Sequence, residues 1–499
     1  MSDPSRKPGT PGPLLIIDTA HLGRLMTASL PAGVRAAELF IESRLTLSID
    51  RDPGAADGAR IRRHWETGAH LRRFSEGRHE SFVLDAPGPE SLESLALHPE
   101  AASVEWLSGR ARLGVPPPKD EHARPESRLS DAAPSSDAGP WSPPYLSAAM
   151  SLLENRLAAL QRETAGAGIT SRRTAGLVAQ IQEVLILGTD ADPARDTRSF
   201  VDVTLGITAA RDAGRFTARE TFSARSLDAL ILAADGHDGA PDLFRRAMEG
   251  VGAGSSGAST VAGTMPVVFA SPSGGFLLHE VCGHLLEADH VVRGDSPFVS
   301  CRGKEIASPL LTLVDDGSIE GMRGSLRYDD EGVPARRTPL ILKGTLVGFL
   351  SDRLTAFATD GISSGNGRRQ TYRDAPMPRM TNLVIDPGAQ SPEEILRSTA
   401  RGLLVTRLAR GRVDPSSGRF ALAVEEGHRI EGGRIGAPVS GAVLHGRAAD
   451  LLPAIDAVGS DPKPDHSAPR CVKEDQAVAF GILQPTLRVA SMVVSGGTQ

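Results

Sequence analysis

The sequence predicts an α+β chain: an N-terminal mixed α/β domain followed by a β-rich C-terminal domain of antiparallel sheet that carries one metal-binding helix. Three observations predict it. In the first half, short apolar runs of strand character alternate with stretches of helical spacing. In the second half, short apolar runs are separated by Asp-Gly, Glu-Gly, Lys-Gly and Gly-Gly, the punctuation of hairpins. Near the junction lies Leu278-His279-Glu280-Val281-Cys282-Gly283-His284-Leu285-Leu286-Glu287, where two histidines and a glutamate share one short segment.

At 499 residues the chain is too long for a single core. Residues 1–12 read as a flexible terminus, 13–260 as the N-terminal domain and 261–499 as the C-terminal one. Leu14 to Ile17, Ala37 to Ile49 and Glu80 to Leu84 have strand character, broken by Asp52-Pro53-Gly54, and suggest a small mixed sheet. Residues 115–144 are dense in Pro, Ser, Asp and Ala, a composition that cannot bury a core, and are expected to be a disordered insert. From Tyr145 to Thr164, leucines recur near helical spacing beside Glu154, Arg156 and Arg162, predicting an amphipathic helix. Glu183 to Leu187 and Phe200 to Ile207 read as β-rich, Ser226 to Ala234 and Pro241 to Gly250 as helical, and Gly252 to Gly263 as a boundary. Thr338 to Leu342 and Thr345 to Leu350 flank Lys343-Gly344 as a hairpin.

A His-Glu pair followed by a second His is a zinc-binding arrangement, normally with the histidines at i and i+4 and the Glu as general base. Here the spacing is i and i+5. On a regular helix such residues point about 140° apart and cannot share an ion. A wide turn of π type brings them back to one face, so the sequence predicts a distorted turn between His279 and His284, with Gly283 supplying backbone freedom. A catalytic zinc site needs a third protein ligand and an open fourth position. The three cysteines, Cys282, Cys301 and Cys471, include no C-x-x-C pair, which excludes a four-cysteine structural site. Glu287 nearby and Cys471 far along the chain are both eligible, and spacing does not choose between them.

A set of segments follows in order: Ala262-Gly263-Thr264-Met265-Pro266-Val267-Val268, His279 to Asp289, Val314-Asp315-Asp316-Gly317, Arg323-Gly324-Ser325-Leu326 and Asp329-Asp330-Glu331-Gly332. It continues with Gly365-Asn366-Gly367-Arg368-Arg369, Met377-Pro378-Arg379-Met380-Thr381-Asn382 and Gln484-Pro485-Thr486-Leu487. In these the chain resembles the TldD/PmbA family of zinc metallopeptidases, and specifically its TldD-type, metal-bearing members. The resemblance is weaker over the N-terminal half. It implies one Zn2+ per chain held by His279, His284 and Cys471, with Glu280 as general base. Glu287 and Asp289 become candidates for orienting His284 or a neighbour, or plain polar residues at a helix end. Arg368, Arg369 and Tyr372 become candidate donors to an oxyanion or substrate, or a solvated basic loop with a turn at Asn366-Gly367. Cys282 and Cys301 depart from the family pattern and read as small buried hydrophobes. Val472, where the family has Gly, puts the local loop path in question.

The resemblance implies hydrolysis of peptide bonds in unfolded or flexible peptides that pair along a sheet edge. It also implies a dimer, either with a metal-free PmbA-type relative or with a second copy. Two rival functions share these residues: a zinc amide hydrolase or deacylase of small molecules, and a non-catalytic peptide-binding subunit, which would need no base at Glu280. A net charge of −6 gives no bulk attraction to nucleic acid. Met1 to Pro13 lacks the apolar core of a secretory signal. No apolar run approaches the roughly 20 residues needed to span a bilayer, and the unpaired-looking cysteines suit a reducing compartment, so the expected location is the cytoplasm.

Overall fold

The computed structural model describes residues 17–52, 59–75, 78–85, 89–97, 103–105, 143–166, 170–211, 214–229, 261–359, 361–439, 441–467 and 469–496. The expected flexible N-terminus, the expected insert up to 142 and the expected helix at Pro241 to Gly250 lie outside these residues, as does most of Ser226 to Ala234. Among the described residues, no helix is long and apolar enough to cross a membrane. The chain divides into two compact units, and two short segments of the later half, 326–334 and 369–376, belong to the first.

The first unit is built on a seven-stranded sheet: β1 (Val34–Arg51), β2 (Ala59–Ser75), β3 (Arg78–Asp85), β4 (Ser103–Glu105), β5 (Thr170–Gly188), β6 (Ala194–Arg211) and β7 (Gly214–Ala224), in the order β4-β3-β2-β1-β5-β6-β7. Every pair is antiparallel, so the sheet is larger and more regular than the small mixed sheet expected. Strand β2 escapes a hydropathy reading because Arg60 to His64 hide its alternation and three of its inward residues, His70, Arg72 and Arg73, are charged or polar yet buried. Side chains alternate between faces along a strand. Leu39, Ile41, Leu47 and Ile49 of β1 face helices α1 (Thr19–Ala28), α2 (Pro89–Leu97) and α3 (Pro143–Gly166). The amphipathic helix expected from Tyr145 is α3, begun two residues earlier.

Glu38, Phe40 and Glu42 face the other way and are also buried. They are covered by segments 326–334 and 369–376, which bring their own charges. The Arg72 guanidinium bonds Glu38 at 2.8 Å and Glu331 at 2.6 Å. Arg198 bonds Asp330 at 2.6 Å and Asp196 at 3.1 Å. Arg369 reaches Glu38 at 3.1 Å and its backbone N–H donates to Asp330 at 2.8 Å. Residues 37–43 of β1 are accordingly buried without a break, whereas 46–50 alternate.

The second unit contains a sheet that closes on itself. Strand β15 (Arg401–Asp414) pairs with β8 (Gly263–Phe269), then β24 (Leu487–Gly496), β18 (Ala442–Arg447), β16 (Arg419–Glu431) and β15 again, a closure that removes edges. A six-stranded sheet runs in the order β11 (Thr345–Leu346), β10 (Arg337–Leu342), β9 (Leu313–Asp316), β14 (Asn382–Ile385), β23 (Gly481–Gln484) and β20 (Lys463–Pro464). Within it β10 (Arg337–Leu342) and β11 (Thr345–Leu346) form the expected hairpin, with Lys343 at φ 45° and Gly344 at φ 85°, the positive pair that matches the strand twist. Two pairs, β8 with β15 and β14 (Asn382–Ile385) with β23 (Gly481–Gln484), are parallel. One core from both sheets and the metal-motif helix unites Val267, Leu278, Leu285, Leu313, Leu403, Phe480 and Val489.

Tyr372 lies flat over the first unit's sheet: a Cβ built on Gly68 would meet its ring at 2.0 Å. Gly68→Ala is expected to lower the thermal midpoint of the first unit, at a cost of about 1–3 kcal/mol from overpacking. Gly23→Ala, in α1 with nothing within 4 Å, should leave it unchanged or raise it. Equal midpoints for both variants would mean the ring is not held there.

Candidate metal centre

The motif segment breaks into a short α-helix at Gly274–Leu278, a π turn at His279–Gly283, a 3-10 turn at His284–Leu286 and a second helix at Ala288–Arg293. The His284 N–H donates to the His279 carbonyl, five residues back, which is the π pattern the i, i+5 spacing requires. Gly283 has ordinary helical angles, φ −54° and ψ −53°, so backbone freedom is not its role. A Cβ there would lie 2.2 Å from Met380 Sδ, and glycine is needed for that close approach.

The distortion places the rings of His279 and His284 with centroids 4.7 Å apart. The distant candidate, not the local one, completes the set: ligand atoms of His279, His284 and Cys471 all lie within 4.8 Å of one another. His284 Nε2 is 3.6 Å from Cys471 Sγ. A tetrahedral zinc with Zn–N about 2.0–2.1 Å and Zn–S about 2.3 Å would hold these donors about 3.5 Å apart. Two imidazoles and a thiolate are also the borderline-soft donors that ion prefers. The residues therefore fit zinc in both geometry and chemistry.

Each ligand is oriented differently. His284 Nδ1 lies 3.1 Å from Glu287 Oε2, which leaves Nε2 for a metal. His279 has a buried Nδ1 without a hydrogen-bond partner, and its ring is set by stacking on Phe480, with centroids 3.9 Å apart and planes 17° apart. Cys471 sits on the two-stranded hairpin of β21 (Arg470–Lys473) and β22 (Gln476–Ala479). Its turn uses Glu474 and Asp475 at φ 47° and 61°. Val472 is an ordinary exposed strand residue, so its substitution for glycine costs the hairpin nothing.

Burial works against charge at all these groups, and the neighbours win. Against burial, which raises it, His284, His279 and Arg379 hold the Cys471 thiol well below its usual range. Against burial, Lys473 and His284 hold the Glu287 carboxyl well below its usual value. Against burial, which lowers it, the Cys471 and Glu287 charges raise His284 well above the ordinary imidazole. Lys473 Nζ lies 2.8 Å from Glu287 and 2.7 Å from Asp289. Glu287, Asp289 and His290 form a second cluster of potential ligands, but Lys473 already supplies its cation.

Glu280 is half-buried on the π turn beside His279. Arg368, Arg369 and Tyr372 are not among the clustered ligands. Arg368 is buried in the second unit with Nη1 donating to the Met380 carbonyl at 2.6 Å. Arg369 and Tyr372 belong to the first unit, where the Tyr372 N–H donates to Glu42 at 2.8 Å. None of the three is a solvated loop residue, and their recorded bonds anchor the chain. Cys282 is fully buried in the core with its thiol pushed up to about 12 by burial, and Cys301 Sγ donates to the Pro297 carbonyl at 3.8 Å. Arg379 stood in a segment that carries the family resemblance and Lys473 near Cys471, but the sequence assigned neither a role. The one signal was position: Lys473 stands two residues from Cys471 in a strand, on the same face.

Residues 262–496 match the PmbA/TldA metallopeptidase C-terminal domain. A protein of Haemophilus influenzae named Metalloprotease TldD homolog is 35% identical over 324 residues, covering 65% of this chain and 67% of the relative. A Saccharolobus solfataricus protein named Zinc metalloprotease TldD homolog is 31% identical over 241 residues, 48% of this chain and 53% of that one. The fold is shared with TldE of Thermococcus kodakarensis, with a TM-score of 0.68 at 18% identity over 96% of this chain and 99% of that structure. The chain belongs to the TldD/PmbA family.

Proposed function

We propose that this chain is a zinc-dependent metallopeptidase that hydrolyses peptide bonds of unfolded or flexible peptides, one zinc per chain, with Glu280 as general base. The observation that carries the reading is the convergence of His279, His284 and Cys471 ligand atoms next to a glutamate on the same turn. Three protein ligands leave the fourth tetrahedral position open, as in catalytic sites. The Saccharolobus relative's name, zinc metalloprotease, supports the same assignment.

When bound, zinc acts as a Lewis acid toward a carbonyl and lowers the pKa of water to about 7. His279 and His284 would present ring nitrogens to the ion, and Cys471 would bind it as thiolate, offsetting part of its charge. Glu280 accepts the proton of the attacking water on its carboxylate and passes it to the leaving amine nitrogen. Glu287 keeps His284 in the tautomer that presents Nε2. The working form that the family resemblance implies is a dimer, either with a metal-free PmbA-type relative or with a second copy of this chain.

Glu280→Gln is expected to retain zinc while cleavage of an unstructured peptide falls by about 10²–10⁴-fold, measured by metal analysis and peptide turnover with and without the relative. Zinc without wild-type cleavage under either condition would favour a peptide-binding subunit, and a protein without zinc would remove the site. Glu287→Gln should weaken zinc binding by about 10–100-fold in chelator competition. Unchanged affinity would mean that Glu287 does not orient His284.

A further inference from the structure

Arg379 is fully buried, the largest such side chain in the described residues. A guanidinium out of water costs several kcal/mol unless it is hydrogen-bonded and paired with negative charge. Its Nη1 donates to the Gln476 carbonyl at 3.2 Å, and its Nη2 donates to the Cys471 carbonyl. Its Nε donates to Cys471 Sγ at 3.4 Å. Of these acceptors only the sulfur can carry full charge. A cysteine that served as a small hydrophobe would leave this arginine only the Glu287 carboxylate, which it attracts without a hydrogen bond, whereas a thiolate gives it a negative charge within hydrogen-bond reach.

We propose that Arg379 is a positioning residue for the metal thiolate, fixing Cys471 Sγ and withdrawing charge from it through an N–H···S bond. The proposal rests on the zinc assignment above. An arginine is required because its planar fork reaches sulfur and carbonyl together, which a point-charge ammonium does not. A two-stranded hairpin is marginal alone, and Arg379 ties both strands of this one through the carbonyls of Cys471 and Gln476. Its own backbone is fixed from behind. The Arg379 N–H donates to the Asn366 carbonyl at 2.9 Å, and Asn366 Nδ2 donates to the Arg379 carbonyl at 3.0 Å and to Asp315 at 2.7 Å. Two residues on, the Thr381 N–H and hydroxyl donate to Asp315 at 2.8 and 2.6 Å. Buried Asp315 thus sets Asn366 and Thr381, which set Arg379, which sets the thiolate. Charge withdrawn from sulfur leaves more on the metal, making it the stronger Lewis acid.

The test loads full-length protein with cobalt in place of zinc and records the thiolate-to-metal charge-transfer band. If wild type shows no such band, Cys471 is not a ligand, and both the zinc assignment and this proposal fall. With the band present, Arg379→Lys and Arg379→Met are expected to shift it to longer wavelength, because sulfur lone pairs rise in energy when the N–H donor is lost. Chelator competition should show zinc held about 10–100-fold more weakly, with unchanged circular dichroism. Folded variants with an unmoved band and unchanged affinity would overturn the proposal and leave the zinc assignment standing. If neither variant folds, isotope-labelled wild-type protein loaded with spin-half cadmium decides. An arginine Nε–H coupled to the metal across sulfur supports the proposal, and no such coupling overturns it.

Discussion

The structure of the second unit turns on bringing a sulfur to an imidazole across 187 residues of chain. Neither group suits a buried site alone: a lone thiolate is costly out of water, and two imidazoles without it make an incomplete ligand set. The π turn exists to aim His284, the β21–β22 hairpin to carry Cys471, and Glu287 with Lys473 to hold the imidazole from behind. These parts form a balanced set of charges rather than separate contacts. Removing one member strands another in low dielectric, so the set is a unit in stability.

Much of this was legible in the sequence because some residue spacings admit only one physical solution. Histidines at i and i+5 cannot share an ion on a regular helix, so the π turn followed from arithmetic. The reason first given for Gly283 did not hold, since steric approach by Met380 is invisible until the fold is known. Cys471 was eligible from composition but was selected only through the family resemblance, because no local rule joins residues so far apart. Arg368, Arg369 and Tyr372 read either as donors to an oxyanion or as a solvated basic loop, and the second reading failed because a basic run after Gly-Asn-Gly gives no sign of buried partners. Hydropathy cannot see a charge whose partner lies three hundred residues away, as Glu38 does from Arg369. The same blindness hid β2.

The first unit solves a different problem with the same means. One face of its sheet is apolar and covered by helices. The other places Glu38, Glu42, His70 and Arg72 where an ordinary sheet would place aliphatic side chains. Isolated buried ion pairs contribute little net stability, since desolvation offsets their attraction. Here each carboxylate has more than one donor: Glu38 accepts from Arg72 and Arg369, and Asp330 from Arg198 and the Arg369 N–H. Such a network discriminates strongly between the correct covering segment and any other, because a misplaced strand or loop would leave several charges unmatched at once.

That network also bears on how the gene can be cut. Segments 326–334 and 369–376 are encoded among the residues of the second unit but fold with the first. A fragment starting at 261 would contain every candidate metal ligand and still expose Asp330, Glu331 and Arg369 stripped of Arg198, Arg72 and Glu38. The complementary fragment would leave those three charges on an uncovered sheet face. The chain is therefore not two modules in series, and a recombinant or evolutionary splice that exchanged one half for that of another protein would have to carry matching charges in both.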